Sequence, residues 1–141
     1  MTATAQASRV IPAGPDEVWD TLTSRKGMKA YMMGADVETD WQVGHPITLH
    51  GKIKGEPYED RGEVRSFLPR RRLSYTHASG SAPDAIHLVT FELSPRDGGT
   101  EVTVIQENLN GRVTSSDLEH RRDYEKTWAM MLEGLAKAVA H

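Results

Sequence analysis

The chain has 141 residues, 38% apolar and 26% charged, with 17 Lys+Arg against 20 Asp+Glu for a net charge of −3. That is the length of one domain, at roughly 100–200 residues each, and the balance excludes an intrinsically disordered chain and a basic nucleic-acid binder. The absence of cysteine excludes disulfide scaffolds, thiolate metal sites and cysteine nucleophiles. No stretch approaches the ~18 apolar residues of a membrane span. Residues 1–9 lack the basic start and apolar run of a secretory signal, so a cytoplasmic protein is expected.

In chain order, residues 3–11 read as a strand that Pro12-Ala13-Gly14-Pro15 breaks. Pro15 suits the first position of a helix, and Asp16 and Glu17 favour its positive end. Val18, Trp19 and Leu22 then mark a short amphipathic helix over 15–24. A second short helix over 25–31 carries Gly27 inside it. From Ala35 to Asn108 the period becomes two, the mark of strands with one buried face. The alternating sets are Val37/Thr39/Trp41, Ile47/Leu49/Ile53, Val64/Ser66/Leu68, Leu73/Tyr75/His77, Val89/Phe91/Leu93 and Val102/Val104. Gly- and Pro-rich breaks separate them, and short connections make neighbouring strands antiparallel. Ser116 with Glu119 reads as a capping box. Tyr124, Trp128, Met131, Leu132, Leu135 and Val139 form one face of a long helix over 117–140, about 36 Å at 1.5 Å per residue. Only a sheet is large enough to cover that face. The predicted architecture is α+β: one domain over 1–141, a curved antiparallel sheet wrapped around the C-terminal helix.

This order of strand, two short helices, six strands and long helix resembles the START-like helix-grip fold of the SRPBCC superfamily. Val18–Thr23, Glu38–Ile47 with its Trp41-x-x-Gly44-x-x-Ile47 spacing, Tyr58–Val64, Leu68–His77, Val89–Leu93, Gly99–Val104 and Trp128–Leu135 resemble one branch in particular. That branch is the bacterial group similar to the C-terminal domain of the activator of the 90-kDa heat-shock protein ATPase. The resemblance implies the helix-grip fold. It also implies a choice among the superfamily's roles: holding an apolar molecule, catalysing a polyketide cyclisation or aromatisation, or meeting a chaperone. A homodimer is in keeping with the family. Fold alone does not decide among these.

A helix laid on a curved sheet often encloses an apolar site for a small molecule. Its wall candidates are Trp19, Met32, Met33, Trp41, Tyr75, Phe91, Tyr124, Trp128, Met131 and Leu135, although ordinary core explains each of them equally. His77 shares parity with Leu73 and Tyr75, His87 with Val89 and Phe91, and Gln106 and Asn108 with Val102 and Val104. These four are the candidates for orienting a ligand, and a turn centred near Ala82 would set the two histidines opposite each other. A wet rim explains them too, and a one-residue slip would undo the pairing. No metal or cofactor is expected: His45, His50, His120 and His141 are scattered, and neither a metal-ligand spacing nor a phosphate-binding lysine motif occurs. Nor is there a nucleophile elbow. Arg70-Arg71-Arg72 reads as a solvated turn, Asp16/Glu17 as a helix start and Glu59/Asp60 as a loop. The leading expectation is therefore a non-catalytic binder of a small apolar or aromatic molecule. The alternatives are a cyclase-like enzyme with His77 or His87 as base and Gln106 or Tyr75 polarising a carbonyl, and a chaperone-associated module.

Overall fold

The computed structural model describes residues 4–53, 55–79, 82–108 and 115–140. Strand β1 (Thr4–Ile11) is followed by helices α1 (Pro15–Thr23) and α2 (Arg25–Tyr31). Strands β2 (Asp36–Glu38), β3 (Pro46–Ile53), β4 (Glu56–Leu68), β5 (Arg72–Ser79), β6 (Ala82–Arg96) and β7 (Gly99–Asn108) come next, and α3 (Ser115–Val139) closes the chain. The strands form one antiparallel sheet in the order β1-β7-β6-β5-β4-β3-β2. It is a meander from β2 to β7, completed when the first strand pairs with the last.

Local chemistry explains the short helices. Pro15 opens α1 with Asp16 and Glu17 in its first turn, and Val18, Trp19 and Leu22 face inward. Ser24 ends α1 and caps α2, its hydroxyl accepting from the Gly27 backbone N–H at 3.0 Å. Gly27 is needed there, because a Cβ would lie 1.9 Å from the Thr21 carbonyl oxygen. Helix α3 lies over β1 and against α2. Ala5 and Ala7, small residues on the inner face of β1, pack into this core. At Gly134 the helix comes close enough to α2 that a Cβ would sit 3.3 Å from the Tyr31 Cα. The edge of β1 is also occupied: the Gln6 backbone N–H donates to Glu125 of α3 at 3.1 Å.

Three expectations about the strands need correction. Strand β2 stops at Glu38, so Trp41 is not a strand residue. Its φ is +58°, and the indole folds back to donate from Nε1 to the Thr23 carbonyl at 2.9 Å. Strand β4 begins at Glu56, which puts Glu59 and Asp60 in a strand rather than a loop. A bulge between Val64 and Ser66 then reverses the parity of its last residues. Phe67 therefore packs inside while Leu68 is 54% exposed, against the Val64/Ser66/Leu68 alternation. Strand β6 continues through Pro95 to Arg96, so the proline does not break it and the connection to β7 is a turn at Asp97-Gly98. At the helix end, Ser116 is the second residue of α3, and its proposed cap lies among side chains outside the described set.

Candidate functional site at the polar end of the inner face

The inner-facing residues can be read strand by strand toward one end of the sheet. On β5 they run Leu73, Tyr75, His77, and on β6 Leu93, Phe91, Val89, His87. On β7 they run Val102, Val104, Gln106, Asn108, and on β4, past the bulge, Val64, Gly62, Asp60, Tyr58. The register aligns these series: His77 is opposite His87, and His87 is opposite Asn108. Four neighbouring strands thus pass from apolar to polar at the same end. His77 does face His87, but not through a turn centred near Ala82: Ala82 is already in β6, opposite Ser79, and a register shift between His77 and Ser79 brings the histidines together.

The apolar part is an aromatic cluster. Trp41 stacks on Phe67 with centroids 5.4 Å apart, and Trp19 meets the same ring at 5.2 Å. Trp41 also meets Tyr75 edge-on at 6.4 Å. Phe91 receives Tyr31 at 6.4 Å and Trp128 at 5.7 Å, both edge-on. Met32 and Leu135 are buried, and Met131 packs against the cluster. Met33 does not belong to this wall. It has φ +54° in the turn after α2 and is 60% exposed. Full burial raises the hydroxyl pKa of both Tyr31 and Tyr75, because the interior disfavours a phenolate. The Tyr31 hydroxyl donates to the Leu22 carbonyl at 2.8 Å.

At the polar end, His77 Nε2 lies 2.9 Å from Asp60 Oδ2. The two side chains are 31% and 15% exposed, respectively. Tyr58 lies beside Asp60, and its hydroxyl pKa is raised, first by partial burial and then by that carboxylate. Its ring lies over Gly51, where a Cβ would come within 2.7 Å of it. Tyr124 of α3 meets His87 edge-on, with centroids 6.1 Å apart, and Asn108 is buried. Trp128 Nε1 donates to Gln106 Oε1 at 2.7 Å, joining α3 to β7 where apolar and polar halves meet.

Sequence reasoning missed Asp60, Tyr58, Tyr31 and Phe67. Asp60 and Tyr58 share parity with Val64 through Gly62, a signal lost by starting the strand at Val64. Phe67 was hidden by the bulge. The remaining histidines are accounted for by carboxylates or lie outside the description. His45 Nδ1 is 2.7 Å from Asp40 and His50 Nδ1 is 3.5 Å from Glu59. The His120 side chain and His141 are outside the described residues. Arg70 sits in the β4–β5 turn with φ +66° and its Nε 3.4 Å from Asp16. Among the described residues no group of three or more His, Asp or Glu side chains is arranged for a metal. No helix there is long and apolar enough to cross a membrane.

The fold is shared with many solved structures. The protein ChR145 from Cytophaga hutchinsonii is 34% identical over 97% of this chain and 93% of its own, with a TM-score of 0.76. The Aha1 dimer from Colwellia psychrerythraea, known in solution, is 21% identical over 96% of this chain and 95% of its own, with a TM-score of 0.71. DynU16, from the dynemicin biosynthetic locus, is 18% identical over 98% of this chain but only 47% of its own, with a TM-score of 0.79. No functionally curated protein matches the sequence. The family model described as activator of Hsp90 ATPase homolog 1-like protein matches residues 12–140. The chain therefore belongs to the activator of Hsp90 ATPase homolog 1-like family, built on the helix-grip fold.

Proposed function

We propose that the protein binds a small apolar or aromatic molecule in the cleft between the inner face of the sheet and α3, without transforming it. The observation that carries this reading is the coincidence of polar inner-face residues at one end of an otherwise aromatic interior: Asp60, His77, His87 and Asn108 on four adjacent strands. Apolar side chains at these inward positions would add burial free energy that partly exposed histidines and a carboxylate do not supply. An apolar wall with a few convergent polar groups is the usual form of a small-molecule site. Native mass spectrometry of the freshly purified protein, followed by denaturation, tests it. A stoichiometric small molecule released on denaturation is the expected result. A clean apo mass, with no mass shift on incubation with aromatic probes, would overturn the reading. The same spectrum reports whether two copies associate, as in the Colwellia relative.

One observation favours a second reading, a cyclase-like reaction. The 2.9 Å contact between His77 and Asp60 is the arrangement by which a carboxylate orients an imidazole as a general base. In that reaction His77 would take a proton from the substrate, and the Gln106 amide would polarise a carbonyl. The structural likeness to DynU16 is compatible with such chemistry.

A further inference from the structure

The contact between Asp60 and His77 fixes more than the position of a ring. A carboxylate oxygen only accepts hydrogen bonds, so the His77 nitrogen facing Asp60, Nε2, must carry a hydrogen. A neutral imidazole carries only one. Its other nitrogen, Nδ1, is then a bare lone pair, and it has no partner among the described residues. The carboxylate behind the ring makes that lone pair a stronger acceptor, as it does for histidines that ligate metals. His77 is on the inner face of β5, partly exposed, with His87 directly opposite on β6. Tyr58 borders Asp60, and Tyr124 borders His87. The polar end therefore offers an acceptor together with two tyrosine rings, one beside Asp60 and one beside His87.

Resting on the binding reading above, we propose that the cleft selects aromatic molecules bearing a hydroxyl group, and that His77 Nδ1 accepts the hydrogen bond from that hydroxyl. An isostere that can accept but not donate, such as a methyl ether, sets an oxygen lone pair against a nitrogen lone pair. A hydrocarbon leaves that nitrogen without a partner in the cleft. Both are disfavoured against the hydroxylated form.

Isothermal titration calorimetry at pH 8 tests the inference with three probes of similar size: 2-naphthol, 2-methoxynaphthalene and naphthalene. The expected result is 2-naphthol binding about tenfold tighter than either of the others, the scale of one well-made hydrogen bond, with that preference abolished in His77→Phe. Circular dichroism of the variant establishes that it is folded. Equal binding of all three probes to the native protein would overturn the inference and leave the binding reading standing. A naphthol preference that survives in folded His77→Phe would overturn it too, by placing the acceptor elsewhere. Binding of none of the three would remove both.

Discussion

The two halves of the sheet's inner face are built on the same strands with the same pleat, yet their chemistry is opposite. Around Leu73, Phe91, Val102 and Leu132 every inner position is apolar and closed off by α1, α2 and α3. Two to four residues beyond the inner positions Val64, Tyr75, Val89 and Val104, the same strands carry Asp60, His77, His87 and Asn108, and all of these but Asn108 remain partly open. The closed half has the composition that maximises burial, about 25 cal/mol for each Å² of apolar surface removed from water. The open half gives up that gain over four strands at once. A single polar residue facing inward is an accident of the rim; here His77, His87 and Asn108 are aligned across three strands and Asp60 joins them from the fourth.

Substitutions can break this contrast or sharpen it. Leu135, fully buried in the closed half, should show the largest effect. Leu135→Ala removes side-chain atoms from a packed site and is expected to cost ~2–5 kcal/mol in urea unfolding. A cost below 1 kcal/mol would mean that the closed half is not the packed core described. Trp128→Phe sits at the boundary. It keeps an aromatic ring against Phe91 but leaves Gln106 Oε1 without its donor, and is expected to cost about 1–3 kcal/mol by the same measurement. His77→Phe is expected to change stability by less than about 1 kcal/mol, since its hydrogen bond to Asp60 is made by a partly exposed side chain. A large loss there would make the polar half structural and dissolve the contrast. Arg25→Gln is the smallest change and lies outside both halves. Arg25 forks onto Asp36 at 2.5 and 2.6 Å, and this hydrogen bonding holds the Asp36 pKa below its ordinary value. A carboxylate with a lowered folded-state pKa adds stability above its unfolded pKa and loses it as pH falls through the folded one. In the variant Asp36 should titrate at higher pH, read by NMR, and that acid-side contribution should disappear.

The element order was legible in the sequence because the hydrophobic period switches cleanly from helical to two and back. Pro15, Ser24 and the Asp97-Gly98 turn mark boundaries with local chemistry that tertiary structure did not override. The histidine pairing was legible only as shared parity: Ala82 pairs with Ser79, and a register shift between His77 and Ser79, which no residue type marks, is what brings the two histidines opposite each other. What escaped was the product of breaks in periodicity. The bulge at Val64/Ser66 is a one-residue event without a compositional mark, and it concealed Phe67. Trp41 alternates with Val37 as if in a strand, but its backbone is left-handed, stabilised by an indole bond to a carbonyl 18 residues earlier in the chain. Asp60 went unread because a carboxylate next to another carboxylate resembles a loop until its own parity is followed upstream through Gly62.

The pairing of β1 with β7 also has a consequence for how the molecule is made. Thr4 is aligned with Glu107 and Ile11 with Thr100, so β1 is made before the other six strands of the sheet and waits for the last of them. Helix α3, synthesised later still, packs on that same β1. The meander from β2 to β7 can form by local steps, whereas closing β1 onto β7 must overcome the entropy of a long loop, the kind of contact that slows folding. Until it closes, the β7 edge and the apolar stripe of α3 are both uncovered, a state prone to association with other chains. Deleting the N-terminal strand would therefore take away the surface on which the final helix comes to rest.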